Sequence, residues 1–279
     1  MLVVTTERVA LRASAWVELH AWLAAAGRGA REPGEPALDP ATKAYARVLA
    51  DDDADELLGR TTHALEACDD ERCARAAVTG TPFATPYLEA LPGFLERDWT
   101  SRATIARDGI ERARAAIGPE VEALADRLAK DLALDWPTEP PRVDVVSEAP
   151  EPGRDAPVRV LMAARGACFL TEKGETSRMH DARVIDCALS YALLGMRERS
   201  ALGAALPDAR AWTAVVVHAV AVVVTAWEPR HVSGLRRSAK VVMPEAMDWL
   251  ASEWPARLRG EPANAFAKRY VAALAEPPP

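Results

Sequence analysis

From Ala211 to Trp227 the chain reads AWTAVVVHAVAVVVTAW, and the one polar intruder near its middle is His218. A helix this apolar on nearly every side has no wet face, so it must be surrounded. Asp208, after Pro207, is a favoured N-cap, and Pro229 stops the stretch after Glu228. A helix of about 20 residues is about 30 Å long, roughly the width of a small domain. Seven valines between Val215 and Val224 would suit a strand by propensity. The caps and the length predict a helix instead. The uninterrupted apolar part, Trp212 to Trp227, is shorter than the ~20 residues a membrane span needs. No Lys/Arg cluster flanks it, so the expectation is a buried core helix and no membrane.

Shorter apolar periods organise the rest. Ser14 opens a helix carrying Trp16, Val17, Leu19, His20, Trp22 and Leu23, closed by Gly27. His20 lies beside two Trp there and reads as a packed or hydrogen-bonded core histidine. Asp39-Pro40 opens the next helix. The acidic run from Asp51 to Glu56 lacks the alternating ligands and central Gly of a calcium loop. It reads as a helix N-terminus favoured by the dipole. Pro92-Gly93 predicts two short helical pieces within PYLEALPGFLERDW. Ser101–Ile117 and Pro119–Leu134 are amphipathic, the second with Val121, Leu124, Leu128 and Leu132 at helical spacing.

The character changes after Trp136-Pro137. Arg142–Val146 carries a strand signal, and Val158–Ala164 and Ala167–Leu170 flank Arg165-Gly166 like a hairpin. A helix follows from about His180 to Met196, with Val184, Ile185, Ala188, Leu189, Ala192, Leu193 and Met196 in one stripe. His231 to Lys240 is basic, with Arg236 and Arg237; it reads as a solvated loop or as a contact for an acidic ligand. Two amphipathic helices, Pro244–Trp254 and Pro262–Leu274, close the chain. The expected fold is α+β and mainly helical. Residues 1–135 form a helical subdomain. Residues 136–279 add a small antiparallel or mixed sheet at about 142–171 and the long buried central helix at about 209–227, packed as one compact unit.

At 49% hydrophobic residues the chain can bury a sizeable core. Its net charge of −7 argues against a general nucleic-acid binder, which would be basic. The N-terminus, MLVVTTERVALRASAW, lacks a basic region followed by a long apolar run, so no signal peptide is expected. Cys68, Cys73, Cys168 and Cys187 then read as reduced thiols in a cytoplasmic protein. Cys68 and Cys73 are separated by DDER, which is not a zinc-ribbon spacing.

No GxGxxG, Walker loop, GxSxG elbow or HExxH is present. The informative feature is the order of elements: helices, a strand, a loop, a hairpin, a helix, then a long buried helix. The window RVIDCALSYALL, Arg183 to Leu194, lies on the helix after the sheet. In this order the chain resembles zinc metallopeptidases of the zincin type. In that family the helix after the sheet carries HExxH and a second helix supplies the third ligand. Here Asp186 would take the place of the first His, Cys187 of the catalytic Glu and Ser190 of the second His. Two imidazoles at i and i+4 face one zinc ion, and the Glu activates the metal-bound water. Asp186 and Ser190 keep the i,i+4 geometry, but Ser is a poor zinc ligand and Cys does not replace the carboxylate base.

The resemblance therefore implies a peptidase-like scaffold without zinc chemistry, with no cofactor, and His218 as a remnant near the old site. The bland reading of His218 is a neutral buried ring with one N–H bonded to a neighbour. Two other constellations compete. His180-Asp181 and Asp186 with His218 could hold a metal if their helices pack face to face. Cys187 or Ser190 with His218 could form a nucleophile and base. The expected function is a noncatalytic, zincin-like protein whose vestigial cleft binds a peptide or partner protein. An active hydrolase and a purely structural assembly protein are the alternatives.

Overall fold

The computed structural model describes residues 2–5, 8–29, 38–116, 119–146, 162–163 and 177–275. The fold is α+β and mainly helical. Among the described residues four short strands, β1 (Leu2–Thr5), β2 (Ala10–Ala13), β3 (Arg142–Val146) and β4 (Met162–Ala163), form one sheet in that order. β3 and β4 run parallel, with Val145 opposite Met162 and Val146 opposite Ala163. The expected hairpin across Arg165-Gly166 lies outside the described residues except for Met162 and Ala163, and those two pair parallel to β3.

The helices are α1 (Ala15–Gly27), α2 (Asp39–Val48), α3 (Ala54–Glu66), α4 (Glu71–Val78), α5 (Ala84–Arg97), α6 (Trp99–Ala116) and α7 (Pro119–Leu132). Beyond the sheet come α8 (Ser177–Leu194), α9 (Ala201–Ala204), α10 (Ala209–Trp227), α11 (Gly234–Val242), α12 (Pro244–Leu258) and α13 (Ala263–Ala275).

The chain divides into two compact units. The first comprises residues 1–4, 11–112 and 142–169, and the second residues 5–10, 113–141 and 170–279. In the first, α1 packs against α2, α3, α5 and β3. Trp22, Tyr45, Phe83, Tyr87 and Phe94 fill its core. His20 is held there by a 2.8 Å contact between Nδ1 and the Tyr45 hydroxyl. Burial lowers its pKa to about 4, with the Leu58 backbone opposing. Arg12 is also enclosed, because its guanidinium has partners on several sides. Nε and Nη2 donate to Asp144 at 2.8 and 3.0 Å, Nη1 donates to the Cys68 carbonyl, and Nη2 donates to the Glu66 carbonyl.

In the second unit α10 is the axis, packed by α7, α8, α11 and α12. Asp208 caps it, accepting from the Ala211 N–H at 2.7 Å. Trp212 Nε1 donates to the Leu193 and Leu194 carbonyls at the end of α8. The valines therefore sit in a helix: burial on every side outweighs their strand propensity. By length and composition alone α10 could cross a membrane, but 72% of its apolar window is buried within the protein.

Three local expectations are corrected. α5 runs unbroken through Pro92. The ring removes one backbone donor, but the helix is anchored on both sides of it by Tyr87, Leu91 and Phe94 in the core. The basic segment is not a loop from end to end, because Ser233 caps α11, its Oγ accepting from the Arg236 N–H at 3.1 Å. Cys68 and Cys73 are joined by a disulfide, their Cα atoms 5.3 Å apart, rather than standing as two thiols. Asp70, within the intervening loop, caps α4 by accepting from the Cys73 N–H. That cap turns the chain back and brings the two sulfurs together.

Candidate functional site

The zincin-like window lies on α8, packed against α10. Asp186 is 1% exposed and Ser190 wholly buried, while Cys187 is half-buried. His218, 2% exposed, lies on α10 with its ring edge-on to Trp254 of α12, centroids 5.6 Å apart. Among the described residues Ser190 Oγ and His218 Nδ1 have no hydrogen-bond partner, so neither of them is bonded to the other as nucleophile and base. Burial lowers the His218 pKa to about 3, and the positive charge of Arg236 pushes the same way. His218 is thus a neutral buried ring, as the bland reading held, but without the expected bond from that nitrogen. His180 stands in the first turn of α8, and its side chain lies outside the described residues.

The residue that Asp186 does meet is His231. Its Nε2 lies 3.3 Å from Asp186 Oδ2, and both side chains are almost fully enclosed. Sequence reasoning missed this pair. Asp186 sits mid-helix beside an apolar stripe, and His231 stands just past the Pro229 stop. The one available signal was a histidine opening a basic segment.

His231 connects the buried seam to the outside. A cavity of about 350 Å3 is bounded by His231 and Ser233, by Arg236, Arg237 and Lys240 of α11, and by Asp248 of α12. Its remaining wall is mainly apolar, from Ala221 of α10 and Met247 of α12. Lys240 Nζ bonds Asp248 at 2.7 Å across the rim. His231 is 7% exposed and Ser233 4% exposed, so the floor is built from enclosed polar groups while the cations reach solvent. This arrangement can hold an anion: cations and a hydroxyl line one space.

The donors do not match the zinc-binding set of the family that the chain resembles. A tetrahedral site needs several Cys, His or carboxylate ligands. Here the Asp186 carboxylate faces His231, and the second window position is an aliphatic hydroxyl. Among the described residues no group of three or more His, Cys, Asp or Glu side chains could hold a metal ion. Comparison with protein-family models, with curated proteins and with solved structures finds no match to this chain.

Proposed function

We propose that the protein is a noncatalytic, zincin-like binding protein whose cleft takes an acidic stretch of a peptide or partner protein, in the cytoplasm. The observation that carries this is the contrast between two neighbouring sets of residues. Asp186, Ser190 and His218 are closed off from any substrate. The cavity beside them is open to solvent and lined by Arg236, Arg237 and Lys240. At about 350 Å3 it is near the small end of ligand pockets, which run from about 300 to 1,000 Å3. It suits one or two side chains of a longer segment better than a large cofactor.

The test is fluorescence polarisation with a short labelled Glu-rich peptide at low salt. Binding should weaken with added salt, because exposed cations are screened. Arg237→Glu should weaken it by about tenfold or more, a cost of roughly 1.4 kcal/mol. Equal affinity of the native and Arg237→Glu proteins would overturn the reading.

A hydrolase remains the second reading, favoured by the Asp186–His231 pair. A carboxylate behind a histidine is how a general base is oriented. That reading requires turnover of an activated ester that disappears in His231→Gln. Background rates in both proteins would exclude it.

A further inference from the structure

We infer that a second cavity, apart from the basic one, binds a small apolar molecule that carries one uncharged carbonyl oxygen. This cavity measures about 330 Å3 and shares no lining residue with the basic one. Its apolar wall comes from Ala211 of α10, Ala246 of α12, and Val271 and Leu274 of α13, with Pro207 and Met243 from the turns ahead of α10 and α12. An apolar cavity of ~150 Å3 holds benzene, so about twice that volume takes one ring with a short substituent.

The polar groups with unmet bonds here are donors. Tyr270 lines the cavity and is wholly buried, and its hydroxyl has no hydrogen-bond partner among the described residues. Leaving a buried hydroxyl unpaired is costly, so a ligand oxygen that accepts from it is favoured. Trp249 packs on the ring, centroids 5.1 Å apart, and holds it in place. Burial raises the phenol's pKa, Asp208 adds to the rise and Arg210 opposes it. The group stays protonated, and both charges it feels line the same cavity. More donors stand at the start of α12. Its N-cap residue is Met243, which supplies no capping oxygen, and Pro244 follows. The N–H groups of Glu245 and Ala246 thus lack a side-chain cap, and both residues line the cavity.

Charge decides which acceptor fits. Among the lining residues Arg210 stands against Asp208 and Glu245, one positive charge against two negative, a net of −1. Arg210 also donates to the Val242 carbonyl at 2.8 Å. A carboxylate ligand is therefore repelled on balance. An ammonium brings donors to groups that themselves donate. A neutral carbonyl accepts from the phenol or the helix N–H groups without either cost.

An NMR titration of the full chain compares four probes of similar size: acetophenone, ethylbenzene, benzoate and benzylamine. Acetophenone should bind about tenfold tighter than ethylbenzene, which lacks only the oxygen, and tighter than either ion. Tyr270→Phe should erase most of that preference while melting at or above the native temperature, because it deletes an unpaired buried hydroxyl. A lower melting temperature would show that the hydroxyl is already bonded within the fold, and would overturn the assignment. Leu274 is 40% exposed, so Leu274→Asp should keep the fold and weaken acetophenone and ethylbenzene alike. Unchanged binding in that variant places the probes elsewhere and sinks the site. Equal affinity of acetophenone and ethylbenzene for the native protein defeats the donor argument, and tightest binding of benzoate or benzylamine defeats the uncharged class. No saturable binding of any probe defeats the cavity as a ligand site.

Discussion

Acidifying the protein should expose the cost of burying His218 as a neutral ring. Its folded pKa is held at about 3, first by burial and then by Arg236, against 6.5 in an unfolded chain. Between those limits the unfolded state binds the proton and the folded state does not. Stability is therefore fully present above pH 6.5 and drains away as the pH falls toward the folded value. Near pH 5 the unfolded ring is almost wholly charged and the folded ring almost wholly neutral, a difference of roughly 2 kcal/mol. The ring is 2% exposed, so solvent screening takes little from that figure. Other groups titrate in the same range. His20, lowered to about 4 by burial, adds a loss of the same sign and similar size. Asp144, raised to about 6 by burial against the pull of Arg12, works in the opposite direction. The clean quantity is therefore a difference between proteins. Urea unfolding followed by circular dichroism, at about pH 7.5 and about pH 5, should show the native protein losing roughly 2 kcal/mol more than His218→Phe. Phe keeps an aromatic edge against Trp254 and cannot titrate. Equal losses in the two proteins would refute the assignment of His218 as the buried neutral group.

Asp144→Asn keeps the shape but strips the charge from Arg12's closest carboxylate partner. A buried guanidinium left uncompensated typically costs 3–5 kcal/mol, so the denaturant midpoint should fall sharply; a change under about 1 kcal/mol would show that Asp69 and the loop carbonyls suffice. Two glycines should respond with opposite signs. A Cβ on Gly203 would lie 2.5 Å from the Arg197 carbonyl oxygen and 3.1 Å from the Trp212 ring, so Gly203→Ala should destabilise by about 1–3 kcal/mol. Gly59, inside α3, has nothing within 4 Å of a built Cβ, and Gly59→Ala should stabilise by about 0.5–1 kcal/mol. Thermal melts check both, and a stabilised Gly203→Ala would contradict the close packing at Trp212.

What the sequence made legible was local and strongly signalled. The central helix carried an Asp cap, a Pro stop and apolar residues on every face, and those signals sufficed although seven valines pointed the other way. α7 was legible from Leu124, Leu128 and Leu132 at helical spacing. Pro92 misled because the rule for proline is local, whereas α5 is held by Tyr87 and Phe94 packing into a core built from distant segments. The Cys68–Cys73 bond was missed for a related reason. Compartment was inferred from the N-terminus, while the bond depends on a turn that Asp70 closes in space.

The candidate site shows the same division more sharply. His218 was read as buried from the apolar run around it, and it is; Asp186 and Ser190 came from the zincin resemblance and lie outside the predicted stripe, yet they too are enclosed. Spacing could not supply the partner of Asp186. His231 lies 45 residues away in sequence, beyond α10, and the contact exists because α8 and α11 both pack on that helix. The chemistry thus moved from the window to the segment after the Pro229 stop. There a buried histidine, a capping serine and three cations meet at one cavity. A helix-period reading assigns each of those residues a bland role taken singly: a stray imidazole, a cap and a solvated charge run. Only their convergence supports the anion binding proposed above, and convergence is set by the packing around α10 rather than by any motif within the segment.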